Sequence, residues 1–228
     1  MPPHLRRRGL HPLFIWNEAT FAGMVSPMLG LILLVTSASG LWSFDQERAG
    51  HPPAGFEVVN MRPPDARWVV EADGDGKVLA QTKPTSDDEK GRHSFALAGS
   101  DVYRDIVLRG RVKLATETGQ AGLVFRYQNR DNHYLMLLDA KRRKIRLVRV
   151  VAGNRVAIHG EDDVEIETGV WYLLKLRLEG PRIAGRMHGL RLFEAKDRSL
   201  PAEGRIGFYC DDHTRADFDD LSVKPIGP

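Results

Sequence analysis

Residues 122–139 read GLVFRYQNRDNHYLMLLD, two apolar runs separated by a polar stretch. The polar stretch NRDNH contains Asn and Asp, which tolerate the backbone conformations that tight turns require. The two runs are therefore predicted to form a hairpin of antiparallel strands. Arg126 lies inside the first run, and its guanidinium raises the question of whether this strand also faces a ligand.

The same period-two pattern extends along most of the chain. In DIVLRGRVKL, residues 105–114, Ile106, Leu108, Val112 and Leu114 share one face and charged side chains occupy the other. VWYLLKLRLEG repeats the pattern with Tyr172 and three leucines, and no helical stripe of comparable length occurs. About a dozen short strands with turn signals between them predict an all-β fold, an antiparallel two-sheet jelly-roll sandwich spanning residues 41–228.

The first forty residues have the features of a secretory signal. Arg6, Arg7 and Arg8 precede an uncharged run from Ala19 to Phe44, whose apolar core ends in the small residues Ala38-Ser39-Gly40. Residues 1–40 are therefore predicted to be a signal peptide, and the protein to be secreted or periplasmic. The alternative is an uncleaved N-terminal anchor, because the uncharged run is long enough to span a bilayer.

The charge balance argues against a nucleic-acid partner. The formal net charge of +3 arises from the arginines of the leader, and the remaining chain is close to neutral with dispersed basic residues. A basic patch on one face is the usual mark of a nucleic-acid site. No nucleic-acid partner is predicted, and contact with a membrane is expected only through the N-terminal segment.

Several motifs in order resemble the concanavalin A-like lectin/glucanase superfamily. These are AGLVFRYQNRDNHYLMLLD, IRLVRVVAGNRV, Trp171 before an alternating strand, GRIGFY and ADFDDLSV. The nearest resemblance is to bacterial secreted laminin-G-like and 3-keto-disaccharide hydrolase domains. It implies a carbohydrate ligand on the concave face of the sandwich. Tyr134 and Met136 stand where the hydrolases would carry Glu and Gln, and Asp139 keeps the family's Asp.

The ligand-binding candidates follow from this hairpin. Alternation places Arg126 on the face opposite Phe125, so Arg126 is expected to point over the concave surface, with Tyr134 as a stacking partner and Asp139 nearby. The alternative for Arg126 is an ion pair on the sheet. Asn132 and His133 lie in the turn, where binding residues often occur, although a turn alone accounts for them.

Two other functions remain open. The runner-up is a glycoside hydrolase of the same fold that uses Asp139 and a second carboxylate; no catalytic pair is identifiable from the sequence. Asp163, Glu165 and Glu167 alternate in EDDVEIETG and predict a charged edge strand more than a catalytic ladder. The third reading is a non-catalytic interaction module of the cell envelope.

One metal hypothesis concerns the two ends of the domain. If the first and last strands pair, Asp45 would lie close to Asp219 or Asp220 at one rim of the sandwich. Clustered carboxylates suit Ca²⁺, which takes six to eight oxygen ligands. No zinc spacing occurs among the histidines. The sequence thus predicts no cofactor apart from this structural Ca²⁺ hypothesis, whose alternative is that the acids face water beside basic residues.

Overall fold

The computed structural model describes residues 39–61, 67–82, 93–211 and 214–227. Within these ranges it has no helix that could cross a membrane, and most of the predicted leader, residues 1–38, lies outside them. The strands are β1 (Gly40–Trp42), β2 (Phe56–Asn60), β3 (Trp68–Asp73), β4 (Gly76–Gln81), β5 (His93–Ala98), β6 (Ile106–Leu114), β7 (Gln120–Asn129), β8 (Asn132–Asp139), β9 (Lys144–Val151), β10 (Asn154–Glu161), β11 (Trp171–Glu179), β12 (Arg182–Met187), β13 (Leu190–Lys196), β14 (Arg205–Asp211) and β15 (Ala216–Pro225).

The strands form two antiparallel sheets. The eight-stranded sheet has the order β13-β12-β11-β6-β15-β4-β3, with β1 also paired to β15, and the seven-stranded sheet has the order β10-β9-β8-β7-β14-β5-β2. The first and last strands pair as expected, with Gly40 opposite Val223. The all-β, two-sheet sandwich predicted from the sequence is confirmed.

The main core lies between the sheets. Phe208 on β14 and Phe218 on β15 contribute one contact across it, with ring centroids 4.8 Å apart. Alternation explains how each strand reaches this core: Ile106, Leu108, Val112 and Leu114 of β6 are buried, as predicted. Their neighbours in sequence, such as Arg109, point away from the other sheet.

Two local predictions need correction. The sequence AGNR, residues 152–155, predicts a two-residue turn at Gly153 and Asn154, but the turn between β9 and β10 consists of Ala152 and Gly153, both with positive φ. Two positive φ values in succession are typical of the turn that matches strand twist in a two-residue hairpin. The acidic segment with Asp163, Glu165 and Glu167 is irregular and not an edge strand; Ile166 in it is buried in the core, and Val164 packs against the core.

A bulge at Arg126 changes which side chains of β7 face the core. Tyr127 lies opposite Arg205 and Val124 opposite Gly207, so two residues of β7 oppose one residue of β14. Arg126 takes the extra position with φ of 48°. Because the bulge shifts the alternation by one residue, Phe125 stays in the core whereas Tyr127 turns to the outer face. Strict alternation along GLVFRYQ predicts that Phe125 and Tyr127 share one face, and the bulge makes that prediction wrong.

Candidate functional site

The outer face of the seven-stranded sheet, on the side away from the other sheet, carries a second apolar cluster. Its side chains come from five adjacent strands, and all are less than a tenth exposed: Phe95, Leu97, Val124, Tyr127, Leu135, Leu137, Val148, Val150 and Tyr209. His133 joins this cluster through ring contacts with Phe95 and Tyr127, at centroid distances of 5.0 and 5.8 Å. This face is therefore rich in aromatic rings.

A small cavity of about 80 Å³ opens beside these rings. His93, His133 and Tyr209 line it, and the ring centroids of His93 and Tyr209 are 5.7 Å apart. Exposed residues at its margin include Arg130, Asp131 and Arg155. The cavity thus joins buried rings to a charged margin. One water needs roughly 10–15 Å³ of such space, so the cavity has room for several waters or for a substituent of a ligand.

His133 is the most perturbed histidine of this site. Its side chain is 2% exposed, and burial lowers its pKa to about 4. The ring is therefore neutral near pH 7. Nδ1 lies 3.4 Å from the backbone oxygen of Asn129; if Nδ1 carries the proton, the second ring nitrogen is an acceptor for a ligand hydroxyl.

A chain of hydrogen bonds runs along the same outer face. Arg155 donates from Nη1 to the hydroxyl of Tyr209 at 3.0 Å and from Nη2 to Oε1 of Gln120 at 2.6 Å. Gln120 donates in turn to Oδ2 of Asp139 at 2.7 Å, and Arg142 donates to the same oxygen at 3.0 Å. Burial raises the pKa of Tyr209, which keeps its hydroxyl protonated. This chain fixes Arg155 over the Tyr209 ring beside the cavity.

Arg126 does not point over this face. Its side chain is 1% exposed and donates from Nη2 to the backbone oxygen of Gly180. Burial lowers its pKa, and its guanidinium lies 5.9 Å from the centroid of the Tyr134 ring. Within the described ranges, Nε and Nη1 of Arg126 have no hydrogen-bond acceptor. The expected outward orientation of Arg126 is wrong because the bulge turns the side chain inward.

Tyr134 is also buried between the sheets. Its ring stacks on Phe125 at a centroid distance of 5.6 Å, and its hydroxyl donates to Oδ1 of Asp197 at 2.5 Å. Burial raises the pKa of Tyr134. The pairing of Arg126 with Tyr134 is thus present in the structure, but as an internal contact and not as an open stacking surface. A sugar has no access to a ring that is 0% exposed.

Asn132, His133 and Asp139 all lie on β8. The turn is shorter than predicted, because β7 ends at Asn129 and β8 begins at Asn132, so Asn132 and His133 belong to the strand and not to the turn. Asn132 stabilises the turns: Nδ2 donates to Asn129, and Oδ1 accepts from the backbone nitrogen of Ala152 at 3.0 Å. His133 lines the cavity, and Asp139 ends the hydrogen-bond chain from Tyr209. The structure therefore brings His133 and Asp139 onto one outer face and separates both from Arg126 and Tyr134.

The acids of the calcium hypothesis are bonded to basic groups. Asp219 and Asp220 both form ion pairs with Arg111, the second at 2.8 Å, and Oδ1 of Asp45 accepts from the backbone nitrogen of Lys77 at 2.9 Å. Hydrogen bonding to Lys77 lowers the pKa of Asp45, whereas burial raises that of Asp219. No group of three or more acidic, His or Cys side chains is arranged to hold a metal in the ranges that the structure describes. Calcium binding stays an untested prediction.

Sequence reasoning missed Tyr209, Arg155, Gln120 and His93. Tyr209 lies in GRIGFYC, where Phe208 and Tyr209 look equally apolar, and only the pairing of β14 with β7 and β5 shows which ring faces outward. Arg155 lies in an edge strand, where arginine is ordinarily a solvated residue. No local signal distinguishes it from the chain's other arginines.

Comparison with known proteins places the fold. No family model matches the chain, and no curated protein matches it. Solved structures do. The carbohydrate binding module CBM66 from Bacillus subtilis is 21% identical with a TM-score of 0.59, over 73% of this chain and 94% of that chain. A prokaryotic β-1,3-1,4-glucanase (lichenase) from a mouse hindgut metagenome is 12% identical with a TM-score of 0.57, over 83% and 100%. The β-glucanase of Bacillus licheniformis is 10% identical with a TM-score of 0.57, over 84% and 100%. The chain has the concanavalin A-like β-sandwich fold.

Proposed function

We propose that this protein is a carbohydrate-binding domain whose site is the cavity on the outer face of the seven-stranded sheet. The observation that carries the proposal is the position of Arg155, held by Tyr209 and Gln120 at the margin of a cavity lined by aromatic rings. Sugar recognition needs such a combination, because a sugar presents apolar C–H surfaces together with hydroxyl groups.

Each part of the site has a role in this proposal. A substituent of the glycan enters the cavity beside His133, Tyr209 and Leu135. Arg155 binds hydroxyl groups at the margin, because its guanidinium has five N–H donors and only two of them are used in the bonds to Tyr209 and Gln120. Because Arg155 is already oriented by Tyr209 and Gln120, less conformational entropy is lost on binding. Asp139 supports this geometry through Gln120 and does not contact the sugar.

A glycoside hydrolase of the 3-keto-disaccharide hydrolase kind is the second candidate function. Its support is Asp139, on the same face as the cavity. Both oxygens of Asp139 already accept hydrogen bonds, Oδ1 from the backbone of Arg142 and Oδ2 from Gln120 and Arg142. A general acid or base needs a free oxygen toward the substrate. Binding without hydrolysis is therefore the better-supported function.

A non-catalytic envelope module that contacts another protein is the third candidate. Such a module needs an exposed apolar surface, whereas the rings of this outer face are buried around a small cavity. That difference favours a small polar ligand over a protein partner. The laminin-G-like subgroup remains the resemblance that the sequence motifs support.

Export to the periplasm or the exterior is part of the proposal. It rests on the leader of residues 1–40. N-terminal sequencing of the protein recovered from its natural compartment tests it: a start near Leu41 supports a cleaved signal peptide. If the recovered protein still contains residues 1–38, the segment is instead an uncleaved membrane anchor.

A glycan array probed with the full chain, followed by a hydrolysis assay on every glycan that binds, tests the function directly. We expect binding to at least one neutral glycan with no release of reducing sugar. Binding of the neutral glycan should be weakened by Arg155→Gln and unaffected by Arg48→Gln, a control at a residue that does not line the cavity. Turnover of a bound glycan would establish the hydrolase, and an array without any signal would contradict carbohydrate binding.

A further inference from the structure

Four basic residues form a row across the outer face of the eight-stranded sheet. Lys175 on β11 lies opposite Arg109 on β6 and opposite Arg186 on β12, and Arg186 lies opposite Arg191 on β13. We call Arg109, Lys175, Arg186 and Arg191 the cation row. Strands in a sheet lie roughly 4.8 Å apart, so the row extends for about 14 Å.

This arrangement is unfavourable for folding. Like charges directly opposite each other on neighbouring strands destabilise a sheet. Among the described residues, Arg109 and Lys175 form no ion pair, and Arg191 pairs only with the exposed Glu194, at 2.7 Å. The row therefore needs an explanation other than the stability of the sandwich.

The neighbouring part of the same sheet shows the opposite arrangement. Arg111 lies opposite Asp219 and Lys113 opposite Asp217, and both are ion pairs. One register step away, Arg109 lies opposite Ser222 on one side and Lys175 on the other. The sheet thus pairs its charges where Arg111 and Lys113 of β6 meet β15, whereas Arg109 and Lys175 of the cation row have no carboxylate partner among the described residues.

Protection of a sheet edge does not explain the row. Edge strands often carry charges that prevent pairing with another molecule, and β13 is an edge strand. However, β6 lies three strands further in, with neighbours on both sides. Edge protection also works with charges of either sign, whereas all four members of the row are basic.

The row lies in a recess of the surface. A groove of about 450 Å³ runs along β11, β12 and β13 and is lined by Lys175, Arg186 and Arg191. A second groove of about 610 Å³, lined by Arg109, adjoins it through shared residues Val107 and Arg177. Together they contain seven basic side chains and two carboxylates, and each carboxylate is already paired with an arginine.

We propose that the cation row binds an acidic polysaccharide that bears a carboxylate on successive sugars. A recess fits an extended polymer better than a flat bilayer. The described lining of both grooves contains no aromatic ring, whereas sites for single-stranded nucleic acid generally stack bases on such rings. Guanidinium groups bind carboxylates through paired hydrogen bonds, which suits the three arginines of the row.

This surface is separate from the cavity of the proposed function, because it lies on the other sheet. Its ligand differs as well: the cavity accepts uncharged sugar groups, and the row requires negative charge. A neutral glycan that binds at Arg155 and an acidic glycan that binds at Lys175 are independent results. Either proposal therefore fails or stands without the other.

Polygalacturonate is the probe, and methyl-esterified polygalacturonate is its uncharged control. With the full chain, we expect binding of polygalacturonate at low ionic strength, loss of binding as salt screens the charges, and no binding of the ester. The double variant Lys175→Gln/Arg186→Gln should weaken binding by about tenfold or more. Removing two basic residues elsewhere, in Arg48→Gln/Lys141→Gln, should change it by less than about twofold.

Circular dichroism and thermal unfolding establish that each variant is folded. If the first double variant does not fold, Arg109→Gln/Arg191→Gln tests the same row. Equal losses in the row variant and the control variant would overturn the proposal, as would binding of the esterified polymer. Tighter binding to single-stranded DNA or to vesicles of anionic phosphatidylglycerol would overturn it too, because the partner would then be another class of molecule.

Discussion

The hydroxyl of Tyr134 donates a 2.5 Å hydrogen bond to Oδ1 of Asp197, and Oδ2 of Asp197 accepts from Arg149 at 2.7 Å. Hydrogen bonds to charged acceptors are among the stronger ones in proteins. This triad, in which Tyr134 is buried and Asp197 and Arg149 are half-buried, joins β8 and β9 of the seven-stranded sheet to the segment that follows β13. Tyr134 therefore acts in the stability of the sandwich and not in the binding of a ligand.

Tyr134→Phe tests this assignment. The change removes one hydrogen bond to a carboxylate and keeps the ring that stacks on Phe125. We expect the free energy of unfolding to fall by about 1.5–3 kcal/mol, measured by urea denaturation. Glycan affinity should not change. A loss of glycan affinity at unchanged stability would show that Tyr134 binds the ligand, as the sequence predicted.

Arg126→Ala should likewise affect stability and not binding. The substitution removes a buried side chain that packs on Tyr134 and donates to Gly180, and a cavity remains. We expect a loss of about 2–4 kcal/mol in the free energy of unfolding, with glycan affinity within about twofold of the wild type. Weakened binding without loss of stability is the pattern expected of a ligand contact and would contradict the structure.

The buried His133 should make stability depend on pH. Its pKa is about 4 in the folded protein, against about 6.5 in an unfolded chain. Between these values the unfolded state binds more protons, so the free energy of unfolding falls as the pH is lowered from about 6.5 to about 4. The loss should reach about 3 kcal/mol.

The matched comparison is His133→Gln, which cannot titrate. Burial raises the pKa of Asp217 and of Asp219. Their ionisation therefore lowers the free energy of unfolding as the pH rises, which is opposite to the effect of His133. The difference between the two proteins isolates the histidine. Parallel unfolding curves for both proteins over this pH range would show that His133 is not buried in the neutral form.

The cation row predicts that removal of one of its charges stabilises the protein. Lys175→Gln relieves the repulsion from Arg109 and Arg186, so the free energy of unfolding should rise by about 0.2–1 kcal/mol at low salt. The gain should disappear at about 1 M salt, where the screening length is near 3 Å. Destabilisation at low salt would mean that Lys175 has a stabilising partner, and it would contradict the claim that the charges of the cation row repel each other.

The two layers of the fold can be predicted from the sequence, but the site cannot, because the first depends on local alternation and the second on how distant strands pair. Alternation is a local property, so the buried positions of β6 and β11 follow from a few adjacent residues. A bulge is a property of two paired strands. Arg126 occupies a left-handed conformation on β7 because β14 is one residue shorter there, and Cβ at Gly204 would lie 2.4 Å from a backbone atom of Arg126. Neither fact is visible in GLVFRYQ alone.

The same limit applies to the candidate site. His133 and Asp139 can be predicted because they lie on a single hairpin, residues 122–139. Arg155, Gln120 and Tyr209 are far apart in the sequence and meet only because β10, β7 and β14 belong to one sheet. The cation row shows this most clearly, because each of its residues looks like an ordinary solvated position in its own strand.

The location of the bound sugar tests the central claim most directly. The protein is titrated with the neutral glycan that binds best on the array, and chemical shift changes are followed by nuclear magnetic resonance. The account predicts the largest changes at His133, Tyr209 and Arg155, with little change at Arg126 or Lys175. Changes concentrated around Arg126 and Tyr134, or on the eight-stranded sheet, would contradict a sugar site on the outer face of the seven-stranded sheet.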